Sequence, residues 1–217
     1  VAYINNILDS FLARHIQCHY LHYVFIFVLF VMGLIFGALL VVFMHFTQSQ
    51  ELLFFIEQYF DRIIEHPSLL SDLNFTNYFY EHLIYLLILY GVGLSIIGMP
   101  LIFLFIFSKG LFMGFTIGFF VHHYGFSGLA CSVLLLLPKN IVFIPLYLIA
   151  STLAMICSIY LIKRMTDRRF HKFTIKPFLR YSLAFVFFLC IAGIVSMIES
   201  SVNHLLVEQA IQFINLE

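Results

Sequence analysis

GLFMGFTIGFFVHHYGFSGLACSVLLLL, residues 110–137, runs for 28 residues without Asp, Glu, Lys or Arg. A stretch this long and uncharged belongs in lipid rather than in a soluble core. A helix rises about 1.5 Å per residue, so a hydrocarbon core of about 30 Å takes roughly 20 residues. The run is too long for one upright crossing and too short for two. Near its middle Gly125 and Gly128 flank Phe126 and Ser127, and two glycines that close weaken a helix. Residues 110–124 therefore read as a short span. Residues 127–137 read as a half-helix that re-enters or lies against the bundle, stopped by Pro138. Such backbone survives at membrane depth only when buried in protein or wetted.

Four more uncharged runs, 23–44, 83–107, 141–162 and 181–198, each suit one crossing. The expectation is an all-α polytopic membrane protein, residues 1–217 forming a single integral-membrane domain. It has five spans, or six if 127–137 crosses. Hydrophobic residues make up 63% of the chain and charged ones 10%, against roughly 45–50% and about 25% in soluble domains. That excludes a soluble domain, a disordered chain and a disulfide scaffold. With 11 basic and 11 acidic residues, a nucleic-acid partner is excluded too. Barrel strands would be about ten residues of alternating polarity, and the runs here do not alternate. The first run is too long for a signal peptide's apolar region and reads as an anchor.

Basic residues near span ends set orientation. With the N-terminus cytoplasmic and the C-terminus external, nine of eleven fall inside. They are Arg14, Lys109 and, in the loop 163–180, Lys163, Arg164, Arg168, Arg169, Lys172, Lys176 and Arg180. Arg62 and Lys139 fall outside. The basic loop reads as the topogenic signal, with added attraction to anionic lipid. Trp is absent, so Tyr20, Tyr23, Tyr78, Tyr80, Tyr124, Tyr160 and Tyr181 supply the interfacial belt.

The external segment 46–82 holds an amphipathic helix. Leu52, Ile56, Tyr59, Phe60 and Ile63 recur at helical spacing, and Glu57, Asp61, Arg62 and Glu65 face away. Pro67 ends it, and a second helix opens at Ser71. The first lies on the outer leaflet, docks an external partner through Glu51, Glu57, Asp61 and Glu65, or does both. Asn74-Phe75-Thr76 matches a glycosylation acceptor, a pattern common by chance.

Chemistry-bearing constellations are few. His15, Cys18, His19 and His22 share one helix face and form a weak candidate metal site. Their ligand atoms point outward in a row, and no second element evidently closes a tetrahedron. Gly125-Phe126-Ser127-Gly128 looks like the nucleophile motif of rhomboid-type proteases, but no span after Ser127 carries a histidine base. No catalytic residue and no cofactor is expected. Ionisable groups inside a bundle mark transport, and none falls at a span centre: Lys109 and Lys139 sit at breaks, Glu199 at an outer edge. Helix breaks at Pro100, Gly125, Gly128, Pro138 and Pro145 keep a channel or transporter subunit as the alternative. The better-supported pattern is small-residue packing: Gly33 with Gly37, Gly91 with Gly93 and Gly98, and Gly110 with Gly114 and Gly118. In lipid, close helix approach relies on such residues, within the chain or in a homo-oligomer.

Gly91-Val-Gly-Leu-Ser-Ile-Ile-Gly-Met-Pro100 is followed by Phe107-Ser-Lys-Gly-Leu-Phe-Met-Gly-Phe-Thr-Ile-Gly-Phe119, then by Gly125-Phe-Ser-Gly128 and Leu137-Pro-Lys-Asn-Ile-Val-Phe-Ile-Pro145. Together with Arg14-His-Ile-Gln and Pro177-Phe-Leu-Arg-Tyr181, this resembles the stage II sporulation protein M family of endospore-forming Firmicutes over roughly residues 14–200. The resemblance implies a non-enzymatic scaffold in the engulfing mother-cell membrane. Its implied partners are stage II sporulation proteins D and P, which hydrolyse peptidoglycan. The wider family often shows Pro-His-Gly-x-x-Glu where this chain has Pro138-Lys-Asn-Ile-Val-Phe143, so a buried Glu there is replaced by Phe143.

The five-span reading places Lys139 outside. In a chain cleared of its native cysteines, Lys139→Cys is expected to react with an impermeant thiol reagent applied to intact cells. Reaction only from the cytoplasmic face would require six spans.

Overall fold

The computed structural model describes the backbone of residues 2–65, 75–166 and 176–215. Among the described residues five helices follow one another: α1 (Ala2–Val42), α2 (Phe46–Glu65), α3 (Phe75–Gly93), α4 (Gly98–Thr166) and α5 (Lys176–Asn215). No strand occurs among the described residues. Four stretches are long and apolar enough to cross a membrane: Tyr20–Val42, Gly98–Ala130, Asn140–Thr166 and Pro177–Ser200. The fifth rod of the bundle is α3, whose 19 residues span about 28 Å but begin with polar side chains. Pro67, the start at Ser71 and residues 167–175 of the basic loop lie outside the described residues, as does Asn74 of the acceptor tripeptide.

Residues 83–107 do not form one helix. α3 ends at Gly93, the chain turns through 94–97, and α4 starts at Gly98. Tyr85 and Phe105 prove the reversal. In one continuous helix they would lie about 30 Å apart, yet their rings meet edge to face with centroids 6.2 Å apart. The turn closes itself: the Leu94 amide donates to the Tyr90 and Gly91 carbonyls, Ser95 N to Val92 O at 3.0 Å and Gly98 N to Ser95 O at 3.1 Å. Ser158 Oγ also donates to Ser95 O at 3.0 Å. Pro100 is the third residue of α4, where its missing N–H has no intrahelical partner to lose. It starts a helix instead of breaking one.

The break expected in the opening stretch is real and narrower than expected. Gly125 alone is non-helical within α4 (φ 55°, ψ −128°), a conformation open to glycine and little else. Gly128 has a different task. A Cβ there would press on the Phe120 carbonyl and stand 2.9 Å from Tyr124 Cβ, so the two arms of α4 fold back sharply on each other. The half-helix 127–137 is not a separate element, because the second arm runs helically through Pro138 and Pro145 to Thr166. Freed carbonyls in an apolar bundle find local or neighbouring partners, so proline need not end such a helix.

α1 and the first arm of α4 run parallel, backbone against backbone. A Cβ at Gly33 would overlap the Phe107 carbonyl, at Gly37 that of Leu111, at Gly110 that of Phe30 and at Gly114 that of Leu34. At Gly118 it would meet Ala38 Cα at 2.9 Å. These glycines therefore serve contact within the chain. α5 runs antiparallel to α3: Tyr181 hydroxyl donates to the Tyr90 carbonyl at 3.0 Å, and Tyr90 and Tyr181 stack at 5.2 Å. Gly93 lies beneath the Tyr181 hydroxyl and against Ala154.

The directions place unlike charges at opposite ends of the bundle. The 94–97 turn, the end of α4 with Lys163 and Arg164, and the start of α5 with Arg180 share one end. α2, Glu81 and Glu199 mark the other.

Gly114→Leu is expected to lower stability by at least about 3 kcal/mol, because Leu34 backbone cannot yield to a side chain. Gly91, with nothing within 4 Å of its notional Cβ, provides the contrast: Gly91→Ala should be neutral or gain up to about 1 kcal/mol. Denaturant unfolding in mixed micelles measures both.

Candidate functional site

Moving the turn to 94–97 changes the meaning of Lys109. It stands about 16 Å along the first arm of α4, inside the bundle rather than at a cytoplasmic loop. Its ammonium lies 5.3 Å from the ring centroid of Tyr85 and 5.2 Å from that of Tyr147, within range of a cation–π attraction to both faces. The two rings are themselves 4.3 Å apart. The expectation of no ionisable group at a span centre is therefore wrong. The charge was misplaced because no charged residue marks where this apolar run folds.

Beside Lys109 lies a buried polar chain drawn from three elements. His82 of α3 is buried, stacked on Phe143 with centroids 3.5 Å apart. Its Nδ1 is 2.5 Å from the Tyr147 hydroxyl, and its Nε2 is 3.4 Å from Glu199 Oε2 on α5. One tautomer serves both contacts: the Tyr147 O–H donates to Nδ1, and Nε2–H points to the carboxylate. The site thus holds a cation, an imidazole and a carboxylate in a mostly apolar setting, where unpaired charge is costly. Mechanically it ties α3, α4 and α5 together. Tyr85 Oη, Ser151 Oγ and Ser196 Oγ have no hydrogen-bond partner among the described residues.

Sequence reading missed this cluster. The available signals were Lys109 itself, the one charged residue between Glu81 and Lys139, and the Gly-x-Gly…Gly-x-Pro series over 91–100 as a turn. Phe143 lies in the middle of it, between His82 and Tyr147. Glu199 brings a carboxylate to that place from another helix.

Other expected positions are dispersed. His15, Cys18, His19 and His22 fall on continuous α1, in the part that enters the span at Tyr20. The side chains of the first three lie outside the described residues, and no group of three or more potential ligands occurs among the described ones. Glu51, Glu57 and Asp61 are exposed on α2, and Glu65 is at its last position. Leu52 and Ile56 are half-buried while Tyr59, Phe54 and Phe55 are exposed. Ser49 Oγ and His123 Nε2, 2.8 Å apart, join α2 to the α4 hairpin.

A family model described as stage II sporulation protein M matches residues 26–198. The chain belongs to the stage II sporulation protein M family. Membership makes it a sporulation-related, multi-pass membrane protein. Searches of curated proteins and of solved structures returned no match. Within the family match lie the glycine contacts, both hairpin turns, His82, Lys109, Phe143 and Tyr147. Glu199 is one residue beyond it.

Tyr147→Phe is expected to cost about 1–3 kcal/mol, since it strips a buried imidazole nitrogen of its donor. Tyr85→Phe removes a hydroxyl with no hydrogen-bond partner among the described residues and should be neutral or stabilising. Thermal unfolding of the purified protein in detergent distinguishes the two.

Proposed function

We propose that this stage II sporulation protein M family member is a non-enzymatic scaffold that holds peptidoglycan hydrolases at the membrane during forespore engulfment. By the family resemblance, those hydrolases are stage II sporulation proteins D and P. The family match over 26–198 carries the reading. The bundle supports it in two ways. The glycine contacts invest the chain in close packing, and the exposed acids of α2 offer an external partner surface. The basic end faces the cytoplasm by the positive-inside rule, so α2 and the C-terminal end of α5 lie in the wall space, on the mother-cell membrane at the septum.

A channel or transporter subunit is the second reading, favoured by one observation, the ionisable cluster around Lys109 inside the bundle. Buried ionisable groups in membrane proteins mark pathways or relays.

In an endospore-forming host, deletion of the gene is expected to stop engulfment and to scatter fluorescently tagged D and P proteins away from the septum. Normal engulfment with both hydrolases in place would falsify the scaffold. Complementation with Lys109→Met then separates the two readings. A scaffold tolerates the loss of the charge, whereas a transport path through the cluster fails to sporulate.

A further inference from the structure

At the acidic end, a cleft of about 320 Å³ opens between the end of α1, the start of α2 and the hairpin of α4. The scaffold reading makes no use of it. Its floor is apolar, formed by Val41, Val42 and Phe46. Its wall carries Ser49 and Gln50 from α2 and His122 and His123 from the hairpin. Ser49 and His123 are already paired at 2.8 Å, which fixes the wall in place. His122 and Gln50 are exposed, with N–H groups free to turn toward an occupant.

Position narrows what the occupant can be. Val42 ends the membrane-length stretch Tyr20–Val42, so the cleft sits at the depth of lipid headgroups. Its floor runs on to the lipid-facing side of α1, where Leu39, Val42 and Phe43 are exposed. An apolar occupant would leave the donors of the wall unpaired. A cation would meet no carboxylate, since none lines the cleft. A soluble anion would leave the floor uncovered. We propose that the cleft binds a phospholipid, its phosphate accepting hydrogen bonds from His122 and Gln50 and its upper acyl chain lying on Val42 and Phe43. This inference stands apart from the scaffold reading, because it concerns a lipid and a set of residues that shares no member with the Lys109 cluster.

The test is native mass spectrometry of the full chain, delipidated in mild detergent and titrated with phosphatidylglycerol, with inorganic phosphate in a parallel arm. Two variants are compared: Gln50→Leu, which leaves the Ser49–His123 pair intact, and the double change His122→Ala with His123→Ala. Each is expected to bind the first phosphatidylglycerol about tenfold more weakly than the native chain, the effect of losing a hydrogen bond to a charged group. A melting curve like that of the native chain identifies Gln50→Leu as folded. Inorganic phosphate is expected to leave the lipid in place. Equal lipid affinity in the native chain and folded Gln50→Leu overturns the proposal, and so does displacement of the lipid by inorganic phosphate.

Discussion

Lipid chains solvate one apolar helix as well as another helix does, so a bundle in a membrane needs something other than hydrophobic burial to choose its contacts. In this chain the choice is made where α1 lies against the first arm of α4. Glycines alternate between the two helices, from Gly33 and Gly110 at one level through Gly37 and Gly114 at the next to Gly118 and Ala38 at the third. Because glycine and the small Ala38 line the seam, the backbones fix distance, register and relative direction together. The rest of the bundle is built outward from that pair. The second arm of α4 is folded back by Gly125, and α3 and α5 close on it through Tyr90, Tyr181 and Ala154.

The buried cluster follows from this arrangement and not from any local motif. His82, Lys109, Tyr147 and Glu199 come from three helices and are separated by tens of residues. Two hairpins and one antiparallel pair bring them to one depth. Each carries a desolvation cost that its neighbours offset: the rings of Tyr85 and Tyr147 for the ammonium, the Tyr147 hydroxyl and the Glu199 carboxylate for the imidazole. Phe143 supplies the flat apolar wall that keeps His82 in one orientation.

Much of the architecture was legible in the amino-acid order. Uncharged runs announced the membrane, the 3.6-residue period announced α2, and Gly110, Gly114 and Gly118 announced a packing face. Gly125 was legible as a break because its neighbours are also poor helix formers. Pro100, Pro138 and Pro145 were misread for one reason. Proline is disruptive in a helix interior in water, but it is accepted in a first turn and tolerated in an apolar bundle. The turn at 94–97 was illegible by charge, since Leu94, Ile96 and Ile97 are as apolar as the spans around them. Tertiary contacts such as Tyr85–Phe105 reveal that the chain doubles back there.

Composition and order by themselves determined the solvent of this protein, its helical class and the unlike charges of its two ends. These depend on transfer free energies and backbone hydrogen bonding, which are properties of segments. Tertiary structure alone decided which glycines face which carbonyls, and that Lys109 lies within the bundle beside His82 and Glu199. Those are relations between segments, and in a medium where apolar surfaces are interchangeable they arise only from the shapes that the helices present to one another.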